Sequence, residues 1–359
     1  MLGGGNLIHA ESLPGPDRSP TLPTVATLSE SELIARIREH LAPAPGWLLV
    51  GIGDDAAVVE AERNRVEVFT TDAIVEGVHF DRAFVPPDAI GHRALAVNLS
   101  DLAAMGAAPR LALLSMALPA TLPLADFDAV ARGFAALASQ HRLHLVGGNL
   151  TRSPGPLMID VTLVGTVKRR QALLRGGARP GDEIYVTGTI GSAAAGLRAL
   201  QSGATNAPGE PSESAMAGCI ERYLRPAPRV RMGMLVSRTR SATACMDLSD
   251  GLADAAHQIA AASGVGVTIN AAALPIDPAA RAFFEARGGD PVIEALSCGD
   301  DYELLLTASP RARRRLAAAA RHDEQVPLTC VGRCTADGAV LLACGGATQP
   351  LAQGYSHFR

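Results

Sequence analysis

Aromatic side chains are scarce in this chain of 359 residues: they fill only 4% of positions, and Trp47 is the single tryptophan. A core must therefore be built from Ala, Leu and Val, for which a 48% hydrophobic and 19% charged composition leaves ample material. Concentrated basic charge is also missing. The net charge is -4 and the Lys and Arg residues are scattered, which excludes a protein whose main partner is nucleic acid, because a phosphate backbone demands a clustered basic surface. No stretch approaches the roughly 18 uninterrupted apolar residues of a membrane helix, and residues 1–28 hold no charged leader followed by an apolar run, so no membrane partner and a cytoplasmic protein are expected. The six cysteines form no CxxC pair; Cys330 and Cys334, the closest two, read as reduced thiols. GxxxxGK[ST], HRDxxxxN and HExxH are absent too, so any phosphoryl transfer has to use another architecture.

What is present divides the chain into two or three domains' worth of sequence. The segment Glu11 to Pro23 is rich in Pro and Ser, and residues 1–28 are expected to be a disordered extension. From Ser29 the pattern turns helical. Strands are expected at Trp47–Ile52, Val66–Thr71, Leu111–Leu118, Leu143–Val146 and Met158–Val167, with helices at Pro87–Met105 and Ala125–His141. The basic, Gly-rich stretch Lys168–Pro180 reads as a boundary between a first domain, 29–167, and a second, 168–359. The second repeats the mixture: strands at Glu183–Thr187, Ala242–Asp247, Gly266–Ile269, Tyr302–Thr307, Leu328–Val331 and Ala339–Leu342, and helices at Ser192–Leu200, Gly251–Ala262, Pro278–Arg287 and Pro310–Arg321. The fold class is mixed α/β.

Chemistry is concentrated in aspartates that sit beside Gly, Ser or Thr. They are Asp54 and Asp55 in GIGDD, Asp72 in TTDAIVEGVHF, Asp101 in NLSDLAAMG, Asp247 and Asp250 in MDLSDGL, and Asp300 and Asp301 in CGDDYEL. A single GDD is ordinarily a turn and a single SDGL ordinarily a helix cap. Taken together, carboxylates on five segments, several of them following strand-like runs, suit a site for several Mg²⁺ ions, each taking one or two carboxylates plus substrate phosphates. Gly147-Gly148-Asn149 reads as a turn whose N–H groups can approach a phosphate. Thr187-Gly188-Thr189-Ile190-Gly191 reads equally as a strand-to-helix turn or a nucleotide contact. Arg152 and Arg175, beside glycines, can reach a phosphate, although most arginines only solvate a surface. His79, between Val78 and Phe80, reads as a packed histidine.

Read in order, GIGDDAAVV, TTDAIVEGVHF, ALAVNLSDLAAMGAAP, VGGNLTRS, RGGARPGDEIYVTGTIG, LRPAPR, MDLSDGL, CGDDYEL and GYSHF resemble the thiamine-monophosphate kinases, within the aminoimidazole-ribonucleotide synthetase-like superfamily of ATP-binding enzymes. The resemblance runs from about Ser29 to Phe358. It implies two α/β domains, with N-terminal domains pairing in a homodimer through a shared β-barrel-like sheet, and ATP with several Mg²⁺ ions in the cleft between domains. It implies metal ligands at Asp55, Thr70, Thr71, Asp72, Asp101, Asn149, Asp247 and Asp250. Nucleotide contacts are implied at Gly148, Asn149, Arg175 and Ser249, and contacts to thiamine monophosphate at His79, Asp300 and Tyr355. Two positions depart from the family pattern: Asn149 stands where GGD is usual, and Cys298 and Asp300 stand where GGEDYEL has Gly and Glu.

The reaction implied is direct transfer of the ATP γ-phosphoryl group to thiamine monophosphate, giving thiamine diphosphate and ADP, with Arg175 or Arg152 stabilising charge. Two alternatives stay open. One is a sibling enzyme such as aminoimidazole-ribonucleotide synthetase or selenide, water dikinase, the latter disfavoured because the first cysteine here is Cys219. The other is a nucleotide-binding regulator without catalysis, for which Asn149 is the one motivating residue.

Overall fold

Ser29 closes a capping box: its hydroxyl accepts from the Glu32 N–H, and the Glu32 carboxylate accepts from the Ser29 N–H at 2.8 Å, so α1 (Glu30–Glu39) starts where the sequence predicts. The computed structural model describes residues 22–202, 211–323 and 326–354. Within it, order begins before Ser29. Val25 is buried, its N–H donates to the Leu122 carbonyl at 3.0 Å, and Val25–Thr27 forms a 3-10 turn, so residues 22–28 do not share the disorder expected of 1–28.

β1 (Leu48–Val50) and β2 (Val58–Val59) form a small antiparallel pair. Then follow β3 (Arg65–Val75), α2 (Pro87–Ala104), β4 (Ala108–Pro119), α3 (Leu124–Gln140), β5 (His144–Ser153) and β6 (Met158–Lys168). The four long strands make a sheet in the order β3-β6-β4-β5, antiparallel except between β4 and β5. Two local expectations are corrected here. Gly147-Gly148-Asn149 is not a turn, because β5 runs through it with Leu114 opposite Gly148 and Ser115 opposite Asn149. A Cβ on Gly148 would lie 1.9 Å from the Leu114 carbonyl oxygen, so the glycine permits close strand approach rather than a bend. β3 also continues beyond Thr71, which places Asp72 inside the strand rather than at its end.

Residues 169–182 lead to β7 (Glu183–Thr187), α4 (Ser192–Ser202), α5 (Glu213–Leu224), α6 (Val230–Thr239), β8 (Ala244–Asp247), α7 (Leu252–Ser263) and β9 (Gly266–Asn270). They are followed by α8 (Pro278–Ala286), α9 (Pro291–Ser297), β10 (Leu304–Ala308), α10 (Arg313–His322), β11 (Leu328–Thr335), β12 (Val340–Cys344) and β13 (Ala347–Pro350). The seven strands are ordered β13-β12-β9-β11-β7-β10-β8, with only β12 and β9 parallel. Helices α5, α6 and α9 escape the periodicity reading because each begins amid Pro, Ser or Asp. Ser212 and Asp290 are in fact their caps, and Pro291 opens α9 at a position where a missing N–H costs nothing.

Helix α2 is internal: fourteen of its eighteen residues are buried, which marks it as a helix enclosed on all sides rather than an amphipathic surface one. One side lies on the four-stranded sheet and α3, the other on α6 and β8. A single apolar cluster consequently runs from Leu95 and Leu99 through Met232 and Val236 to Leu304 and Leu306. Missing side chains allow this proximity. A Cβ on Gly133 of α3 would come 1.9 Å from the Asp88 carbonyl oxygen, and one on Gly233 of α6 would come 2.0 Å from that of Ala103. Gly133→Ala is expected to lower the urea unfolding midpoint: helix propensity alone favours alanine by about 1 kcal/mol, but overpacking against backbone costs about 1–3 kcal/mol. A raised midpoint would show instead that the two helices separate freely.

Candidate active site

A cleft of about 830 Å³ opens between the two halves of the chain and is lined by several segments, α4 and Tyr223 of α5 among them. β3 supplies Asp72, and the turn after it supplies His79. α2 supplies Arg93, Val97 and Asp101, spaced four residues apart and therefore stacked along one face. The connection 169–182 supplies Arg175. The end of β8 supplies Asp247 and the turn beyond it Ser249 and Asp250, and the approach to β10 supplies Cys298, Gly299 and Asp300. These segments meet because α2 is wedged between the sheet carrying Asp72 and the strand carrying Asp247.

Hydroxyl groups fix the carboxylates. Thr70, which shares the inner face of β3 with Asp72, donates from Oγ1 to Asp101, and Ser100 donates to Asp247 Oδ2 at 2.7 Å. Asp247 is fully enclosed, and burial together with the neighbouring Asp101 pushes its carboxyl up to about 7, against the opposing Ser100 bond. Asp72 opens onto the cleft, yet the surrounding walls strip enough water to raise it to about 6, with Asp101, Asp160 and Asp250 adding repulsion. Burial raises Asp101 also, opposed by the Thr70 bond and the Arg175 charge. Like charges facing one another in partial isolation from water produce this pattern, and a bound cation relieves it.

Asp300 lies beside the turn after β8, its N–H donating to the Ser249 carbonyl at 2.8 Å, and its carboxylate is gripped from both sides. Its Oδ1 accepts from the Tyr302 hydroxyl at 3.0 Å and its Oδ2 lies 3.3 Å from Arg93 Nη2. Asp300 and Tyr302 both take left-handed backbone conformations, with φ of 69° and 50°, which flips successive side chains to different sides of the loop. Asp301 and Glu303 therefore face inward. Asp301 accepts from the Gly191 N–H at 2.8 Å at the start of α4, while Glu303 binds Arg222 at 2.5 Å together with Arg229 and the Thr187 hydroxyl at 2.6 Å. Thr187 thus serves the ion-pair network rather than the cleft. His79 is anchored through Nδ1, which accepts the Val75 N–H at 3.0 Å and leaves Nε2 as the protonated nitrogen of a neutral ring.

Of the residues named from sequence, Asp72, His79, Asp101, Arg175, Asp247, Ser249, Asp250 and Asp300 meet in this cleft, and Thr70 joins through Asp101. Others lie elsewhere. Strand alternation turns Thr71 to the outer sheet face, where its hydroxyl bonds Asp160 and Thr162 at 3.1 Å; Asn149 is in the same cross-strand row as Ser115 and Asp160. Asp55, Gly148 and Arg152 are exposed outside the lining, and Tyr355 lies outside the described residues. Sequence reasoning overlooked Arg93, Ser100, Asp160 and Gln258. Gln258 accepts from Arg175 at 2.5 Å and donates to Asp254 at 2.6 Å. The available signal for Arg93 was a charge in an otherwise apolar helical run, eight residues before Asp101.

Oxygen donors of this kind fit Mg²⁺, which prefers hard ligands and retains positions for water and phosphate. Among the described residues no three His, Cys, Asp or Glu side chains already converge into a closed cage. An open set of carboxylates is what a cation shared with substrate phosphates requires.

Comparison with known proteins identifies the family and the fold. Residues 53–167 match the N-terminal domain of AIR synthase related proteins and residues 179–343 match their C-terminal domain. The chain is 38% identical over 334 residues to thiamine-monophosphate kinase of Salmonella typhimurium, covering 92% of this chain and 98% of that one. It is 37% identical over 318 residues to the Bacillus subtilis protein of the same name, covering 86% and 94%. Among solved structures, thiamine-monophosphate kinase from Stenotrophomonas maltophilia superposes with a TM-score of 0.78 at 41% identity, covering 89% of this chain and 98% of the other. AaThiL complexed with AMPPCP and TMP superposes at 0.72 with 32% identity, covering 95% and 100%. Hydrogenase maturation protein HypE in complex with ATP shares the fold at a TM-score of 0.72 and 19% identity. By sequence over nearly its whole length and by its two-domain mixed α/β fold, the chain belongs to the thiamine-monophosphate kinase family.

Proposed function

We infer that the chain is an ATP-dependent phosphotransferase that converts thiamine monophosphate to thiamine diphosphate, built as domains 29–167 and 168–359 with the reaction in the cleft between them. The observation that carries this reading is the meeting of Asp72, Asp101, Asp247 and Asp250 in one cleft with His79 and Asp300. The relatives are named for this activity, and one neighbour holds AMPPCP and TMP.

The acceptor is a phosphate monoester with a second pKa of about 6, so its attacking oxygen is already ionised near neutrality and no strong general base is required. The obstacle is repulsion between two polyanions. Magnesium, held by Asp72, Asp101, Asp247 and Asp250, would supply the charge that draws the ATP phosphates and the acceptor together. Thr70 and Ser100 hold two of these carboxylates in place by hydrogen bonds, the role that groups behind metal ligands ordinarily play. Arg175 and Ser249 line the same cleft and suit contact with the nucleotide phosphates, Arg175 steadied by Gln258. His79 and Asp300, both lining the cleft, suit the acceptor. Roles for Asp55, Thr71, Gly148, Asn149, Arg152 and Tyr355 rest on resemblance alone.

Pairing of two chains through the four-stranded sheet belongs to the same proposal. The outer face of that sheet leaves Phe69 65%, Leu113 40% and Met158 38% exposed, three apolar side chains on one face. No helix among the described residues is long and apolar enough to cross a membrane, and a cytoplasmic location completes the proposal.

Purified protein given ATP, Mg²⁺ and thiamine monophosphate should form thiamine diphosphate in step with ADP; nucleotide binding with no product would favour a regulator. Asp101→Asn should cut turnover by about 10²-fold or more, and near-normal turnover would remove the metal role. Protonation favours the fold where a carboxyl's pKa is raised, so the metal-free protein should lose stability as pH rises through about 6 to 7. Mg²⁺ should therefore raise the melting temperature more at pH 8 than at pH 5.5, and Asp247→Asn should flatten the metal-free profile; equal Mg²⁺ shifts at both pH values would contradict this. Phe69→Asp should halve the mass seen by light scattering if the outer sheet face joins two chains, and an unchanged mass would exclude that face.

A further inference from the structure

The cleft contains a cation that neither metal nor nucleotide chemistry explains. Arg93 lies one side of α2, in the first half of the chain, and its side chain is only 3% exposed. All of its visible partners belong to the second half. Nη1 donates to the Tyr223 carbonyl at the end of α5, Nη2 pairs with Asp300 at 3.3 Å, and the guanidinium stacks 4.4 Å from the centre of the Tyr223 ring. Its Nε, also buried, has no hydrogen-bond partner among the described residues. A buried charge left partly unsatisfied is a poor device for stability, since apolar residues of like volume usually do as well. Its role is better read from what it holds.

What it holds is the part of the cleft wall that suits the acceptor. Tyr223, Asp300 and Tyr302 line the same cleft as His79, and Arg93 ties the first two to α2. Asp300 has a short side chain on a left-handed backbone, so it cannot reach far by its own rotation. Eight residues along the same helix face, Asp101 joins Asp72, Asp247 and Asp250 in the cleft, and the helical rise sets the two at about 12 Å along the axis. One rigid, enclosed helix thus carries both the group that orients acceptor recognition and a group that serves phosphoryl transfer.

We propose that Arg93 is a positioning residue for the acceptor: by bridging Asp300 and Tyr223 to α2 it fixes the substrate-recognising carboxylate at a set distance from the carboxylates that serve transfer. This rests on the kinase reading given above. Lys at this position keeps the charge but lacks the planar fork that engages two partners at once.

The test compares wild type, Arg93→Lys, Arg93→Met, Asp300→Asn and the Arg93→Lys/Asp300→Asn pair in steady-state kinetics, with thiamine monophosphate and ATP varied separately and urea midpoints recorded for each. Wild-type turnover of thiamine monophosphate decides the kinase reading by itself, and the ratios between variants decide the role of Arg93. Arg93→Lys should raise KM for thiamine monophosphate by about tenfold, the effect of losing one oriented contact, and leave KM for ATP unchanged. The double variant should be no worse than Asp300→Asn alone, because both changes remove the same contact. Additive effects of the two substitutions, or KM for both substrates rising together, would overturn the assignment. If Arg93→Met fails to fold, Arg93→Lys and Asp300→Asn still give the comparison.

Discussion

A helix enclosed on every side must still deliver charge to water, and the architecture follows from how that conflict is met. α2 is apolar along most of its surface, packs between a sheet and the second half of the chain, and yet lines the cleft with Arg93 and Asp101. Burial at this cleft, with the charge of Asp101 added to it, raises the carboxyl of Asp72 to about 6 and that of Asp247 to about 7. Stability and chemistry pull in opposite directions here. The ionised set that suits a divalent cation is the set that an empty fold disfavours.

The short hydroxyls show how the site resists that strain. Thr70 and Ser100 each spend their one proton on a carboxylate. This orients the acids without adding a compensating positive charge, which a nearby lysine would supply at the expense of cation binding. Arg175 stands further out, exposed, and is braced by Gln258 and through it by Asp254 on α7. The arrangement separates a fixed acidic floor from a basic arm at the rim.

Much of this was legible in sequence. Alternation and helical spacing located most of the strands and helices, and the cleft aspartates stood out because they fall in short motifs with Gly, Ser or Thr. Three things were hidden. Whether a residue lies within a strand or at its end decides which face it serves, and Thr71 and Asp72 are adjacent in sequence but on opposite faces of β3. Gly147-Gly148 looks like a turn in one dimension, whereas its purpose is to let β5 approach β4. Arg93 showed only as a charge within an apolar helical run, since its partners Tyr223 and Asp300 lie 130 and more residues away and come near only through the fold.

The edge of the seven-stranded sheet has a further meaning. β8 ends the strand order, and its free side is covered not by another strand but by α2 and by the connection, where the Cys245 N–H donates to the Leu174 carbonyl at 2.9 Å. A bare sheet edge invites pairing with other chains. The first half of the molecule is therefore the chaperoning cover of the second, and the apolar cluster that joins them has no natural plane of division. Two units that can be told apart in sequence thus share one apolar interior, so that loosening either exposes the other.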